Sequence, residues 1–132
     1  MSLLTLDSQQ RPQLAAWLET DDWVVACLCA AWCDTCRSYR SSFAELAAQH
    51  PEKHFVWIDI EDEAEVVGDM DIDNFPTLLI QRRDDVAFFG TVLPDPKVAH
   101  RLIASQTATS LIRPQQRQWP EECNLRRKLA RT

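Results

Sequence analysis

The sequence predicts an α/β fold: a central mixed sheet of four to five strands flanked by helices. Three observations point to it. The run from Trp23 to Ala30 is continuously apolar and includes Val24 and Val25, as in a strand buried on both faces of a sheet. Segments of helical period alternate with the early strand candidates, which implies parallel pairing and right-handed crossovers. The last two strand candidates are joined by the short Asp84-Asp85 link, which implies an antiparallel hairpin.

The elements follow in order. Leu3–Leu6 is a short strand. Asp7 suits the cap of a helix running to about Glu19, with Leu14, Trp17 and Leu18 on one apolar face. Asp21-Asp22 breaks the chain before the Trp23–Ala30 strand. A long helix from about Cys33 to Gln49 carries the stripe Tyr39, Phe43, Leu46 and Ala47, and Pro51 lies just beyond it. Phe55–Ile60 is the next strand, and the acidic Glu61–Met70 suits a short helix. Thr77–Gln81 and Val86–Phe89 form the hairpin. Pro94 or Pro96 opens a last covering helix with Val98, Leu102 and Ile103, since proline is tolerated in a first helical turn.

The 132 residues make one domain. The two glycines, Gly68 and Gly90, cannot assemble a glycine-rich phosphate cradle or a dinucleotide fingerprint. The net charge of −6 argues against a phosphate-backbone binder, so no nucleic acid is expected as a partner. Charge is unevenly placed: residues 113–132 hold six of the 14 Lys and Arg residues and two of the 20 Asp and Glu residues. The apolar run Trp23 to Cys33 falls short of the ~20 residues a membrane span needs, so no membrane partner is expected. The start Met1-Ser2-Leu3-Leu4-Thr5-Leu6-Asp7 lacks the basic and apolar regions of a signal peptide, and the expected location is cytoplasmic. In such a compartment five cysteines point to redox or metal chemistry rather than to structural disulfides.

The sharpest motif is Trp32-Cys33-Asp34-Thr35-Cys36, where a buried strand ends and a helix begins. Residues at i and i+3 of a first helical turn have Cβ atoms ~5–6 Å apart, near disulfide range. A helix N-terminus stabilises negative charge, and the thiolate is the reactive form of cysteine. Cys33 is therefore the exposed nucleophile. Cys36, further into the helix, attacks the mixed disulfide and releases the reduced substrate. Half of a zinc site and two buried cysteines spaced by chance are the competing readings.

With these residues in view a family resemblance emerges. Val24 to Cys36, with its Ala30-Ala31-Trp32-Cys33-Asp34-Thr35-Cys36, resembles thioredoxin. So does Phe75-Pro76-Thr77-Leu78-Leu79-Ile80, which is similar to that family's proline loop entering its fourth strand. Gly90, after Phe88-Phe89, falls where the family carries a glycine beside the active-site groove. The resemblance spans about residues 3–106. It implies a thioredoxin-like domain over residues 1–107 and a thiol–disulfide oxidoreductase acting on protein disulfides through a redox-active Cys33–Cys36 disulfide. No other cofactor and no metal are needed. It also implies a reductase or small thiol as electron donor, a monomer, and a cis Phe75–Pro76 bond. Trp32, Phe75, Pro76, Thr77 and Gly90 would form the rim on which substrate docks.

Several positions depart from that pattern. Asp34-Thr35 stands where the family usually has Gly-Pro. Cys27 occupies the place of a buried aspartate six residues before the first cysteine, and Trp57 that of its lysine partner. Asp59 shares a strand face with Trp57 by two-residue alternation and is the candidate replacement as proton acceptor. Cys27 and Cys29 also share a face. Both read as small buried hydrophobes, or with Cys33 and Cys36 as four thiolates for zinc or an iron–sulfur cluster. A non-catalytic binding or chaperone module is the further alternative. Asp59 to Asp73 holds eight carboxylates, a solvated acidic face suited to basic substrates, and Asn74 and Ile80 stand where a calcium loop needs Gly and Glu. His50, His54 and His100 read as surface or helix-end residues, and Cys123 as an exposed thiol, incidental or accessory. Residues 108–132 form a basic C-terminal extension with a short helix near Leu125 and Leu129. Its Arg113, Arg117, Arg126, Arg127, Lys128 and Arg131 suit docking on the acidic stretch, binding an acidic partner, or a disordered tail.

Overall fold

The computed structural model describes residues 2–108 and 121–130. Its strands are β1 (Ser2–Thr5), β2 (Val24–Cys29), β3 (His54–Asp59), β4 (Thr77–Arg82) and β5 (Asp85–Thr91). Its helices are α1 (Arg11–Trp17), α2 (Asp34–Gln49), α3 (Ala64–Val67), α4 (Pro96–Ala108) and α5 (Leu125–Ala130), the last preceded by a 3-10 turn at Glu121–Cys123. The sheet order is β1-β3-β2-β4-β5. β3 pairs in parallel with both β1 and β2, and β4 runs antiparallel to β2 and β5. The mixed α/β architecture anticipated from the sequence is therefore formed.

β2 lies at the centre, with all six residues buried. Its side chains alternate between two cores, as strand geometry requires. Val25, Cys27 and Cys29 enter one with Tyr39, Phe43 and Leu46 of α2 and Ala99 and Ile103 of α4. Val24, Ala26 and Leu28 enter the other with Leu14, Leu18, Val66 and Val67. β3 alternates likewise, with Phe55 and Trp57 on the α2 side and Val56 and Ile58 opposite.

Local chemistry moves some boundaries. α1 begins at Arg11 rather than at Asp7, because the Asp7 carboxylate accepts from Gln9 N (2.9 Å) and Gln10 N (2.8 Å) and closes a separate turn first. Pro12 then sits in the opening helical turn. α3 is shorter than Glu61–Met70, because Asp59 Oδ1 accepts from Glu61 N (2.9 Å) and Asp62 N (3.1 Å) and holds that stretch as a turn. The hairpin turns one residue earlier than Asp84-Asp85. Arg82 pairs with Asp85, and Arg83 takes the left-handed φ of 52° that a two-residue loop demands. The Phe75–Pro76 peptide is cis, as the resemblance implies.

The described part of the C-terminal segment docks in cis. Leu125 (1% exposed) and Leu129 (8%) join the second core, and α5 packs on α1 and α3. Polar groups fix the position. Arg126 spans Glu19 (2.8 Å) and Asp84 (2.7 Å), and Lys128 pairs with Asp69. The Gln81 amide donates to Asn124 Oδ1 (2.8 Å) while its carbonyl accepts from Leu125 N (2.9 Å), so buried polar atoms on both sides are satisfied. Lys128 thus meets the acidic stretch, and Arg126 meets carboxylates outside it. Arg113, Arg117 and Arg131 lie outside the described residues.

Of the histidines, His50 is a helix-end residue, as anticipated, and is buried there. It is 6% exposed at the end of α2 and contacts His100 at 3.0 Å between ring nitrogens. Burial, with Lys53 and His100 nearby, lowers its pKa.

Because Leu125 is part of a close-packed core, Leu125→Ala is expected to cost about 2–4 kcal/mol, near the range for buried leucine truncations. Urea unfolding reads this directly. A change within experimental error would show that the segment contributes nothing to the core.

Candidate active site

The strand-to-helix junction positions the cysteines. Cys33 is the N-cap of α2, with extended backbone, and Cys33 N donates to Ala30 O at 3.1 Å. Its side chain is half-buried and makes no capping hydrogen bond, so the sulfur stands at the helix N-terminus beside the exposed Trp32. Cys36 lies in the first turn of α2 and is 1% exposed, its sulfur accepting from Ala30 N at 3.4 Å. Arg37 braces the junction from outside, donating to Ala31 O (2.7 Å) and pairing with Asp34.

The disulfide differs from the one the resemblance implied. Cys36 is bonded to Cys29, at a Cα–Cα separation of 5.7 Å, and Cys33 is free. The reason lies in the packing. Cys29 is the last residue of β2 on the face covered by α2, and the first turn of α2 returns Cys36 directly over that strand end. Reading Cys29 as a small buried hydrophobe therefore missed a sulfur partner. Two-residue alternation does place Cys29 on the α2 face; the distance to Cys36 depends on how α2 crosses the sheet, which is a tertiary property. The same bond withdraws two sulfurs from the four-thiolate alternative, and among the described residues no group of His, Cys, Asp and Glu is placed to hold a metal ion.

Cys27 sits one pleat back, its sulfur 3.9 Å from that of Cys29. It is fully buried, and desolvation pushes its thiol pKa far up. A group held neutral in this way cannot take up a proton as a buried aspartate would. Asp59 is placed differently. It pairs in register with Cys29 across β2 and β3, and with Cys36, Trp57 and Arg40 it lines a cavity of about 310 Å3. Its Oδ2 accepts from Ala31 N at 2.9 Å, which ties the carboxylate to the residue before Trp32.

The proline loop lies against this junction. Phe75 packs edge-on to Trp32, with ring centroids 5.7 Å apart. Pro76 is buried, and its carbonyl accepts from Val92 N at 3.0 Å. Thr77 is 1% exposed and its hydroxyl donates to Asn74 O at 2.6 Å, so its side chain braces the loop instead of standing on the rim. Gly90 lies opposite Leu78 on β5 and lines, with Thr77, Asp69, Asp71 and Asp73, a second cavity of about 590 Å3. A Cβ at Gly90 would meet the Phe88 ring at 3.3 Å. Cys123, on the wall of this second cavity, is 2% exposed, and burial pushes its thiol up to about 11. That burial removes it as an accessory thiol in the folded protein.

Comparison with known proteins gives the lineage. The Thioredoxin family profile matches residues 7–94, which is most of the chain. The chain belongs to the thioredoxin family. Thioredoxin H5 of Oryza sativa subsp. japonica is 32% identical over 62 residues, covering 47% of this chain and 46% of that protein. The thioredoxin-like protein CXXS1 of the same species is 35% identical over 63 residues, covering 48% of this chain and 47% of that one. The chain thus spans about half the length of these curated relatives. Among solved structures, a poplar wild-type thioredoxin h superposes with a TM-score of 0.69 at 19% identity, covering 80% of this chain and 96% of that one. Thioredoxin from Nicotiana alata superposes at 0.68 with 19% identity, covering 79% and 91%. The thioredoxin fold is therefore shared at low sequence identity. No helix among the described residues is long and apolar enough to cross a membrane.

Burial ranks the thiols. Cys27, Cys29, Cys36 and Cys123 are each at most 2% exposed, and Cys33 alone reaches solvent. In the native, reduced protein, iodoacetamide is expected to modify Cys33 first, the others reacting only in denaturant. Peptide mass mapping of the alkylated protein checks this, and equal native labelling of Cys123 would contradict the packing of the C-terminal segment.

Proposed function

We propose that the chain is a thiol–disulfide oxidoreductase that exchanges disulfides with protein substrates through Cys33 and Cys36. The observation that carries this reading is one solvent-reachable sulfur at a helix N-terminus, with a buried second sulfur one turn further on. The cycle starts from the reduced enzyme. The Cys33 thiolate attacks a substrate disulfide, forms a mixed disulfide and expels one substrate thiolate. Cys36 then loses its proton and attacks the Cys33 sulfur. The Cys33–Cys36 bond forms, the second substrate thiolate leaves, and two electrons have passed from enzyme to substrate. A reductase or small thiol restores the dithiol, and no bound cofactor takes part.

Asp59 is the proton acceptor in this scheme. Supporting the role are its place beside Cys36 in the smaller cavity and the neutrality that burial imposes on Cys27. Trp32, Phe75 and the backbone of Pro76 form the docking rim, with Thr77 bracing it and Gly90 keeping side-chain bulk off β5. The carboxylates of Asp71 and Asp73, in the second cavity with Thr77 and Gly90, favour basic substrate segments. The protein works as a monomer in the cytoplasm, a setting to which its exposed thiol and its free buried thiols are suited.

Two variants test this. Cys33→Ser is expected to bring reduction of a protein disulfide, driven by dithiothreitol and followed by substrate thiol release, down to the uncatalysed rate. Unchanged turnover would remove Cys33 from the mechanism. Asp59→Asn is expected to slow resolution of a Cys33 mixed disulfide by about 100-fold, the lower range for a positioned general base, while leaving the first attack intact. Stopped-flow release of a chromogenic thiol separates the two steps, and equal resolution rates would assign Asp59 to loop bracing alone.

A further inference from the structure

Cys36 shares one core with two other cysteines, Cys29 within it and Cys33 packed against it. Cys33 precedes it by three residues in the same helical turn. Cys29 lies beneath it at the end of β2, Cα to Cα 5.7 Å, a separation that a disulfide spans without backbone movement. The two partners differ in access, since Cys33 meets solvent and Cys29 is 1% exposed. Resting on the reading of Cys33 and Cys36 as the exchange pair, we propose that Cys29 is a third redox-active cysteine, which takes Cys36 from Cys33 and stores the oxidised state as a buried disulfide.

The exchange balances within the chain. In the Cys33–Cys36 form, the Cys29 sulfur attacks Cys36 Sγ. The Cys29–Cys36 bond forms, the Cys33–Cys36 bond breaks, and the proton lost by Cys29 ends on the Cys33 thiolate. Oxidation state is unchanged and no outside reagent enters. Exchange needs the three sulfurs near one another, and the junction gathers them: β2 ends beneath α2, Ala30 N donates to the Cys36 sulfur over that end, and Cys33 packs on the core that holds Cys29 and Cys36.

The two oxidised isomers have different chemistry. With Cys33 bonded to Cys36, the nucleophile is blocked. With Cys29 bonded to Cys36, the nucleophile is free while its resolving partner is withheld. Cys33 then forms a mixed disulfide that only an external thiol resolves, including the substrate's own second thiol. That path reshuffles substrate disulfides without net reduction. Burial of both Cys29 and Cys36 shields the stored bond from direct attack by small thiols.

The test is a disulfide map of the wild-type protein. Oxidised protein is acid-quenched, alkylated in denaturant, and divided between two digests: chymotrypsin, cutting after Trp32, parts Cys29 from Cys33 and Cys36, and a protease that cleaves before Asp34 parts Cys36 from Cys29 and Cys33. The expected result is a Cys29–Cys36 cross-linked pair together with alkylated Cys33. If all the oxidised protein carries Cys33–Cys36 with Cys29 alkylated, the proposal is overturned. A second measurement avoids reliance on one oxidised preparation. Cys33→Ser should retain a two-electron transition in a dithiothreitol titration, and Cys33→Ser/Cys29→Ala should lose it; absence of the transition in the single variant also overturns the proposal. Wild-type turnover separates this from the parent reading. Normal turnover with no Cys29–Cys36 link sinks the third cysteine alone. A link in a protein that turns over no disulfide supports the Cys29 assignment and sinks the oxidoreductase reading.

Discussion

Two-sided burial of β2 is the constraint from which the rest of the molecule follows. A strand covered on both faces sends alternate side chains into separate cores, so it requires helices on each side and partners along both edges. Once those are in place, the strand's last residue is fixed beneath the start of α2. The chemistry sits there for that reason: a helix N-terminus, a strand end and the proline loop meet at one point. Cys29 and Cys36 are bonded there, and Cys33 packs on the same core.

Much of this was legible in the residues. The apolar run at Trp23–Ala30 announced the central strand, and Tyr39, Phe43, Leu46 and Ala47 marked the buried stripe of α2, all of them now in one core. The strand-to-helix context of Cys33 and Cys36 was readable too. Periodicity states which face a residue occupies, and so put Asp59 and Trp57 on one side of β3. What it does not encode is how far apart two faces stand after packing. The Cys29–Cys36 contact belongs to that second kind of fact. So do the buried hydroxyl of Thr77 and the separate turn closed by Asp7, where side chains competed with the backbone for hydrogen bonds.

Replacing a buried acid by Cys27 changes the electrostatics of the junction. A carboxylate at that depth would carry a charge in need of pairing, whereas a desolvated thiol remains neutral and packs as an apolar group. Trp57 beside it is consistent with the change, since an aromatic ring there needs no ionic partner and its face meets Arg40 at 5.1 Å. A carboxylate does stand at the cavity edge, where Asp59 is tied to Ala31, Glu61 and Asp62 by backbone N–H groups.

The docked C-terminal helix also has a meaning for how such a sequence can drift. Glu19, Asp69 and Asp84 lie far from α5 along the chain, yet they receive Arg126 and Lys128. A change of sign at Asp69 sets like charge against Lys128, whereas Arg126 keeps one carboxylate if either Glu19 or Asp84 is lost. The place of α5 is therefore set by charges supplied from three distant parts of the chain, after α1, after α3 and in the β4–β5 turn.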